Sequence, residues 1–187
     1  MTVLILHGVK GYAGKHWMQW LADHLAELGH QIIMPTFPNA DHPDRQEWLA
    51  EVSQLLKDIN LTELIMIGHS LGNATILDFL EQQAQPVFGF ISVAGFYRTY
   101  RSELNDYFMS ERNIDMSKVK KNIKKSFVIF GDDDPYVPQS ELNALAKALG
   151  VQPLIIPGGG HLNTDARFIT FPTLLAVVRS IGAKKTY

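Results

Sequence analysis

The sequence predicts a single three-layer α/β/α domain with a parallel sheet. The order of its segments predicts the fold class, its length the number of domains, and its lack of cysteine excludes several kinds of site. Short apolar runs alternate with longer segments of helical period, which is typical of βαβ units. The chain has 187 residues, of which 46% are hydrophobic, so we expect residues 1–187 to form a single domain with a substantial core. It has no cysteine, which excludes a disulfide framework, a thiolate metal site and a cysteine nucleophile.

Six apolar runs are the predicted strands. They span Val3 to Leu6, Gln31 to Met34, Leu64 to Ile67, Val87 to Val93, Phe127 to Phe130 and Pro153 to Ile156. Most of them are rich in Val, Ile and Phe, which favours strands covered by helices on both faces of the sheet.

Apolar residues at helical spacing predict five helices. In chain order, the markers are Trp17, Leu21, Leu25 and Leu28; Trp48, Val52, Leu55 and Leu56; Ala74, Leu77, Phe79 and Leu80; Leu142, Leu145 and Leu149; and Phe171, Leu174, Leu175, Val178 and Ile181. Gly29 and Gly150 are expected to end the first and fourth helices, since glycine adopts the left-handed backbone that helix ends require.

One long stretch, from Gly95 to about Lys125, shows no clear period. It carries more aromatic surface than a plain connector needs: Phe96, Tyr97, Tyr100, Tyr107 and Phe108, followed by Met109. We interpret it as a short lid or pocket wall, because long irregular segments in compact domains are often functional. The alternative is one or two surface helices whose aromatic side chains pack on the core.

Gly68-His69-Ser70-Leu71-Gly72 matches the G-x-S-x-G pattern, and it follows a predicted strand and precedes a predicted helix. Such a turn places the serine in strained backbone geometry with its hydroxyl exposed, and a Cβ at Gly68 or Gly72 would collide with a neighbouring strand or helix. Ser70 is therefore the candidate nucleophile. The alternative is a glycine-flanked turn in which the serine caps a helix.

Three consecutive aspartates, Asp132, Asp133 and Asp134, follow the fifth predicted strand. Catalytic groups in open parallel sheets lie beyond the carboxyl ends of the strands. Pro135 restricts the backbone of the residue before it, so Asp134 is the preferred acid to orient a catalytic base. Asp132 and Asp133 are expected to bind turn backbone or to face water.

Gly158-Gly159-Gly160-His161 follows the sixth predicted strand. A histidine in an exposed glycine loop has no packing role, which makes His161 the candidate general base. The chain has seven histidines, so a solvent-exposed loop residue or a helix-capping contact is the alternative.

His7-Gly8-Val9 follows the first predicted strand, which is expected to lie beside the strand that leads to Ser70. The backbone amides of Val9 and Leu71 are the candidate donors of an oxyanion hole. His7 ends a core strand, so a hydrogen-bonded structural role is favoured over a role as catalytic base.

Together, His7-Gly8, Gly68 to Gly72, Gly131 to Pro138 and Gly160-His161 resemble the α/β-hydrolase superfamily, in which serine, acid and histidine follow in this order. The small size, Trp17 with Trp20, and the run Asp-Asp-Pro-Tyr-Val-Pro are similar to the cap-less serine hydrolases typified by YdeN and retinoblastoma-binding protein 9. This resemblance implies a minimal fold without a large cap, with six parallel strands in the order 2-1-3-4-5-6. It also implies carboxylesterase-like activity on small esters or amides.

The charge and composition of the chain argue against nucleic-acid and membrane partners. A net charge of -2 provides no field that would attract nucleic acid or an anionic membrane. One group of five lysines is interpreted as a solvated surface and not as a nucleic-acid patch: Lys118, Lys120, Lys121, Lys124 and Lys125. No signal-peptide pattern or membrane-spanning apolar segment is recognisable, so a cytoplasmic location is expected.

The expected partner is thus a small-molecule acyl substrate, with no metal and no organic cofactor. A protein partner is possible but not indicated by the sequence. The alternative function is that of a partner-binding protein that keeps the hydrolase fold with little catalysis.

Overall fold

A computed structural model describes residues 1–182 and shows one six-stranded parallel sheet with the order β2-β1-β3-β4-β5-β6. The strands are β1 (Thr2–Leu6), β2 (Gln31–Ile33), β3 (Leu64–His69), β4 (Val87–Val93), β5 (Ile123–Gly131) and β6 (Leu154–Ile156). The predicted fold class and strand order are confirmed. No large cap covers the sheet within the described residues.

Helices cover both faces of the sheet. They are α1 (Met18–Glu27), α2 (Arg45–Leu56), α3 (Gly72–Glu81), α4 (Asp106–Ser110), α5 (Met116–Lys121), α6 (Gln139–Leu149) and α7 (Pro172–Gly182), with a 3₁₀ turn at Leu61–Glu63. The five predicted helices are α1, α2, α3, α6 and α7. None of the helices in residues 1–182 is long and apolar enough to cross a membrane.

Helix ends follow the local chemistry of the chain. The Asp44 side chain accepts a hydrogen bond of 2.8 Å from the Glu47 amide and so caps the start of α2. Gly29 follows the end of α1 and Gly150 ends α6, both with positive φ as predicted. The assignment of Leu28 to the buried side of the first helix was wrong, since α1 ends at Glu27 and Leu28 is 47% exposed.

Alternating side chains of the strands build two cores, one on each face of the sheet. In β1, for example, Val3 and Ile5 pack in the layer with α1 and α7, whereas Leu4 and Leu6 pack in the layer with α2, α3 and α6. The expectation of cover on both faces fails at β6, where Leu154 and Ile155 are 40% and 45% exposed. This strand has only three residues and lies at the sheet edge, so it has a neighbouring strand on one side only.

The interpretation of the stretch from Gly95 to Lys125 as irregular was wrong. It contains α4 and α5, and β5 already begins at Ile123. Phe96, Phe108 and Met109 are buried in the core, as the alternative of short helices with packed aromatics expected. The start of this segment nevertheless reaches the functional cleft described below.

A buried ion pair joins α2 to α3 and to the α4 segment. The Arg45 guanidinium donates to Asp78 through Nε at 2.7 Å and Nη2 at 2.9 Å, and both side chains are almost fully buried. Its Nη1 also donates to the carbonyl oxygens of Phe108, Met109 and Arg112. One side chain therefore satisfies a carboxylate and three carbonyls that water does not reach.

We predict that Arg45→Met lowers the free energy of unfolding by about 3 kcal/mol, because the Asp78 carboxylate stays buried after it loses its bidentate partner. Urea unfolding measures this change. Arg98→Met is the matched control, since Arg98 pairs with Glu141 but half of its side chain, 51%, is exposed to water. Equal destabilisation by the two substitutions would contradict the role assigned to Arg45.

Candidate active site

The predicted site residues come together at the carboxyl edge of the sheet. Val9 follows β1, Ser70 follows β3, Asp134 follows β5 and His161 follows β6. A cleft of about 910 Å³ opens at this edge, and Val9, Ser70 and His161 lie on its wall. Parallel strands end at the same edge, so residues far apart in the chain meet there.

The segment Gly68 to Gly72, here called the elbow, is a tight turn from β3 into α3. Ser70 has φ of +54°, a left-handed conformation that costs energy for a residue with a side chain. A Cβ on Gly68 would lie 2.9 Å from Cδ1 of Ile76, and one on Gly72 would lie 2.5 Å from the carbonyl oxygen of His7. Both glycines are therefore required by close packing, as the motif predicts.

Asn73, in the first turn of α3, holds the elbow in place. Its Nδ2 donates to the carbonyl oxygens of Gly68 at 2.9 Å, Ser70 at 3.0 Å and Val93 at 3.4 Å. The Ser70 amide in turn donates to Val93 at 3.0 Å. Sequence reasoning missed Asn73, although a polar residue directly after the motif, on a helix with many apolar residues, was a usable signal.

Asp134 and His161 form a direct hydrogen bond, with 2.7 Å between Oδ2 and Nδ1. The second oxygen, Oδ1, accepts from the amides of Tyr136 at 2.9 Å and Val137 at 3.0 Å, and the Asp134 side chain is fully buried. A carboxylate can only accept, so Nδ1 of His161 carries the proton and the lone pair of Nε2 stays available. The expected exposed position of His161 was wrong: the residue is 7% exposed.

The other two aspartates bind the segment Gly158 to His161, here called the glycine loop. Asp132 Oδ1 accepts from the Gly158 amide at 2.8 Å, and Asp133 Oδ1 accepts from the Gly160 amide at 2.7 Å. All three aspartates after β5 are thus used to hold this loop and its histidine.

Two further side chains fix the loop from the opposite side. His69 Nε2 donates to the carbonyl oxygen of His161 at 2.9 Å, and Trp17 Nε1 donates to that of Leu162 at 2.9 Å. Sequence reasoning missed both contacts, which join residues 92 and 145 positions apart. His69 lies within the elbow motif, but no local pattern indicates its partner.

The candidate oxyanion donors lie where β1 and β3 run side by side. A Cβ on Gly8 would lie 2.8 Å from Cβ of Ser70 and 3.3 Å from the amide nitrogen of Leu71, so only glycine fits there. The amides of Val9 and Leu71 donate no hydrogen bond to any group in residues 1–182. Two unused donors beside the serine are what an oxyanion hole requires.

His7 holds the segment that follows β1. Its Nδ1 donates to the Gly8 carbonyl at 2.8 Å, and its Nε2 accepts from the Phe37 amide at 2.9 Å. Because both ring nitrogens are occupied, His7 is a structural histidine, as expected, and has no lone pair free for catalysis.

The Ser70 hydroxyl and Nε2 of His161, the candidate nucleophile and base, are both accessible. Ser70 Oγ and His161 Nε2 make no hydrogen bond to another group of the described chain, and neither belongs to the buried polar atoms without a partner. Both are therefore open to a molecule in the cleft. Catalytic hydrogen bonds of this kind often form fully only when substrate binds.

Three histidines around the site have pKa values below the ordinary value. Burial lowers the pKa of His69 well below 6.5, and the nearby His161 lowers it further. Burial, with the charge of Lys15 next in importance, lowers the pKa of His16 to about 4. Burial is also the main cause that lowers the pKa of His7. All three rings are neutral at neutral pH.

Comparison with known proteins identifies relatives of the whole chain. YdeN of Bacillus subtilis (strain 168), which is described as a hydrolase, is 30% identical over 98% of this chain and 97% of its own length. The crystal structure of the B. subtilis ydeN gene product matches with a TM-score of 0.91, at 30% identity, over 98% of this chain and 99% of that chain. A YdeN-like protein of Pectobacterium atrosepticum SCRI1043 matches with a TM-score of 0.71, at 18% identity, over 97% of this chain and 90% of that chain.

The sheet order and the elbow at its carboxyl edge define the α/β-hydrolase fold. The profile of the family described as serine hydrolase matches residues 3–180. This chain belongs to that serine hydrolase family, and the resemblance to YdeN-like small α/β hydrolases is confirmed.

We predict that acid destabilises the protein through these neutral histidines. Around and below pH 6.5 an unfolded histidine binds a proton that the buried His69 of the folded protein does not, so stability falls as pH falls, with a limiting slope of about 1.4 kcal/mol per pH unit for this residue. His7 and His16 act in the same direction. Urea unfolding between about pH 7 and pH 5 measures the slope.

His69→Gln is the matched variant, because glutamine can still donate to the His161 carbonyl but does not titrate. Its stability should fall less steeply with acid than that of the parent protein. Parallel pH profiles of the two proteins would show that His69 is not held neutral.

Proposed function

We propose that this protein is a carboxylesterase-like hydrolase that acts on small ester or amide substrates through Ser70, His161 and Asp134 and an acyl-enzyme intermediate. The observation that carries the proposal is the 2.7 Å bond between Asp134 and His161, made beside a cleft that Ser70 also lines. Membership in the serine hydrolase family supports it.

In the first half-reaction, Nε2 of His161 accepts the Ser70 hydroxyl proton while Oγ attacks the substrate carbonyl carbon. The carbonyl oxygen takes the electron pair and is stabilised by the amides of Val9 and Leu71. The buried Asp134 carboxylate stabilises the imidazolium that forms. The imidazolium then protonates the leaving alcohol or amine as the tetrahedral intermediate collapses to the acyl-enzyme.

In the second half-reaction, water takes the place of the leaving group. His161 accepts a proton from this water as the water oxygen attacks the acyl carbon, and it then returns that proton to Ser70 Oγ as the acid departs. Each proton therefore moves through Nε2, which the bond from Nδ1 to Asp134 keeps in the required tautomer.

Ser70→Ala is expected to lower kcat/KM for a short-chain para-nitrophenyl ester by roughly 10⁴-fold or more, because no nucleophile remains. A fluorophosphonate probe should label the parent protein on Ser70 and leave the variant unlabelled, with circular dichroism showing that both are folded. An unlabelled parent protein without esterase activity would favour a partner-binding role instead.

Asp134→Asn is expected to lower kcat by roughly 10⁴-fold, because an amide can donate to Nδ1 and so favour the wrong imidazole tautomer. Asp133→Asn is the matched comparison, since it removes the same charge one residue away. Asp133 binds a backbone amide of the glycine loop and not the imidazole, so the loss should be much smaller. A larger defect in Asp133→Asn would refute the assignment of Asp134.

A further inference from the structure

Beyond the triad, the wall of the cleft carries many polar side chains. Its aliphatic side chains are Val9, Leu104 and Pro135. Hydroxyl and amide groups occupy much of the remainder: Tyr100, Ser102, Asn105, Tyr136, Asn163 and Thr164. Several of these groups bind one another or neighbouring residues, as in the contacts of Asn105 with Tyr100 and of His16 with Thr164. Together they form a polar surface that favours a short, polar substrate over a long hydrocarbon chain.

Three cations on this wall have no carboxylate partner. Lys10, Lys15 and Arg101 line the cleft, and no acidic group of residues 1–182 lies within 4.0 Å of their charged atoms. Three other arginines differ in this respect. Arg45, Arg98 and Arg112 each bind at least one carboxylate.

Lys15 is the best positioned of the three cations. Its Nζ donates to the Lys10 carbonyl at 2.7 Å and lies 5.6 Å from the ring centroid of Tyr12, and the residue is only partly exposed. One of its three N–H groups is thus used for anchoring, which leaves two for a ligand. Its charge reaches the catalytic end of the cleft, since it contributes to the lowered pKa values of His7 and His16.

The positive and negative charges of the cleft are close to balance. Glu103 and Asp165 also line the cleft, so three cations face two carboxylates. His16, which lies beside Asp165, is neutral at neutral pH because its pKa is lowered to about 4. With the buried Asp134 carboxylate that contacts His161, the charges of the site balance, and such a weak field suits a monoanion better than a dianionic phosphate.

We propose that the substrate is a short ester or amide that carries one carboxylate, and that Lys15, with Lys10 and Arg101, binds this carboxylate. The inference rests on the proposed function, because it concerns the same cleft. It adds the chemical class of the substrate and the residues that select it.

The experiment compares kcat/KM for three chromogenic esters. They are para-nitrophenyl butanoate, which is neutral; the para-nitrophenyl monoester of succinate, with the carboxylate on the acyl side; and the butanoate ester of a carboxylated para-nitrophenol, with the carboxylate on the leaving group. The measured quantity is the ratio of kcat/KM for each anionic ester to that for the neutral ester. Comparing this ratio between protein variants cancels the intrinsic reactivities of the esters.

Lys15→Gln should lower the ratio for at least one anionic ester by about tenfold, since it removes a charge-assisted hydrogen bond. Lys15→Arg keeps the positive charge and should retain most of the parent protein's ratio for that ester. Arg101→Gln is a second test that leaves the contact between Lys15 and Lys10 intact, and it should lower the same ratio. The ratio of the parent protein should also fall as salt rises from about 20 mM to about 500 mM.

Lys147→Gln, on the exposed side of α6 and outside the cleft, is the control and should leave both ratios unchanged. If neither Lys15→Gln nor Arg101→Gln lowers a ratio while the neutral ester is hydrolysed, the carboxylate inference is wrong and the proposed hydrolase function stands. If no ester is hydrolysed and Ser70 is not labelled by the fluorophosphonate probe, the proposed function itself fails, and the inference with it.

Discussion

The hydrogen bond between His161 and Asp134 is the contact on which the site depends, because it joins the end of β5 to the loop after β6. A loop with three consecutive glycines would not hold a histidine in one position without help. Asp132 and Asp133 bind its amides, while His69 and Trp17 bind carbonyls at and after the histidine. The loop is therefore fixed by partners from β3, β5 and the start of α1.

Close packing determines the geometry on the other side of Ser70, where the chain after β1 approaches the elbow. β1 and β3 pair in register, with Leu6 opposite Gly68, so the chain after β1 passes directly over the elbow. This passage is possible only because Gly8 and Gly72 lack side chains. The close approach brings two free amides beside the strained serine, and the bonds of Asn73 and His7 hold both turns against relaxation. Strain at the nucleophile is thus maintained by contacts outside it.

The features that could be predicted from the sequence are those determined by residues close together in the chain. The strand order came from the family resemblance, whereas the strands, the elbow and the choice of Asp134 came from patterns within a few residues, such as Pro135 after the third aspartate. Contacts of His69 and Trp17 were missed because their partners lie on a distant loop. The helices α4 and α5, of five and six residues, are too short to show a helical period, and α4 is held by carbonyl bonds to Arg45, a residue far away in the sequence.

The neutral state of the surrounding histidines completes the electrostatic design of the site. The ring centroid of His69 lies 4.9 Å from that of His161, and that of His16 lies 5.5 Å from His69. A positive charge on either ring would oppose the imidazolium that His161 forms in the proposed mechanism. Burial keeps both rings neutral, while the carboxylate of Asp134 is the charged group in direct contact with His161. The cations Lys10, Lys15 and Arg101 also line the cleft, where their proposed role is to bind the substrate carboxylate.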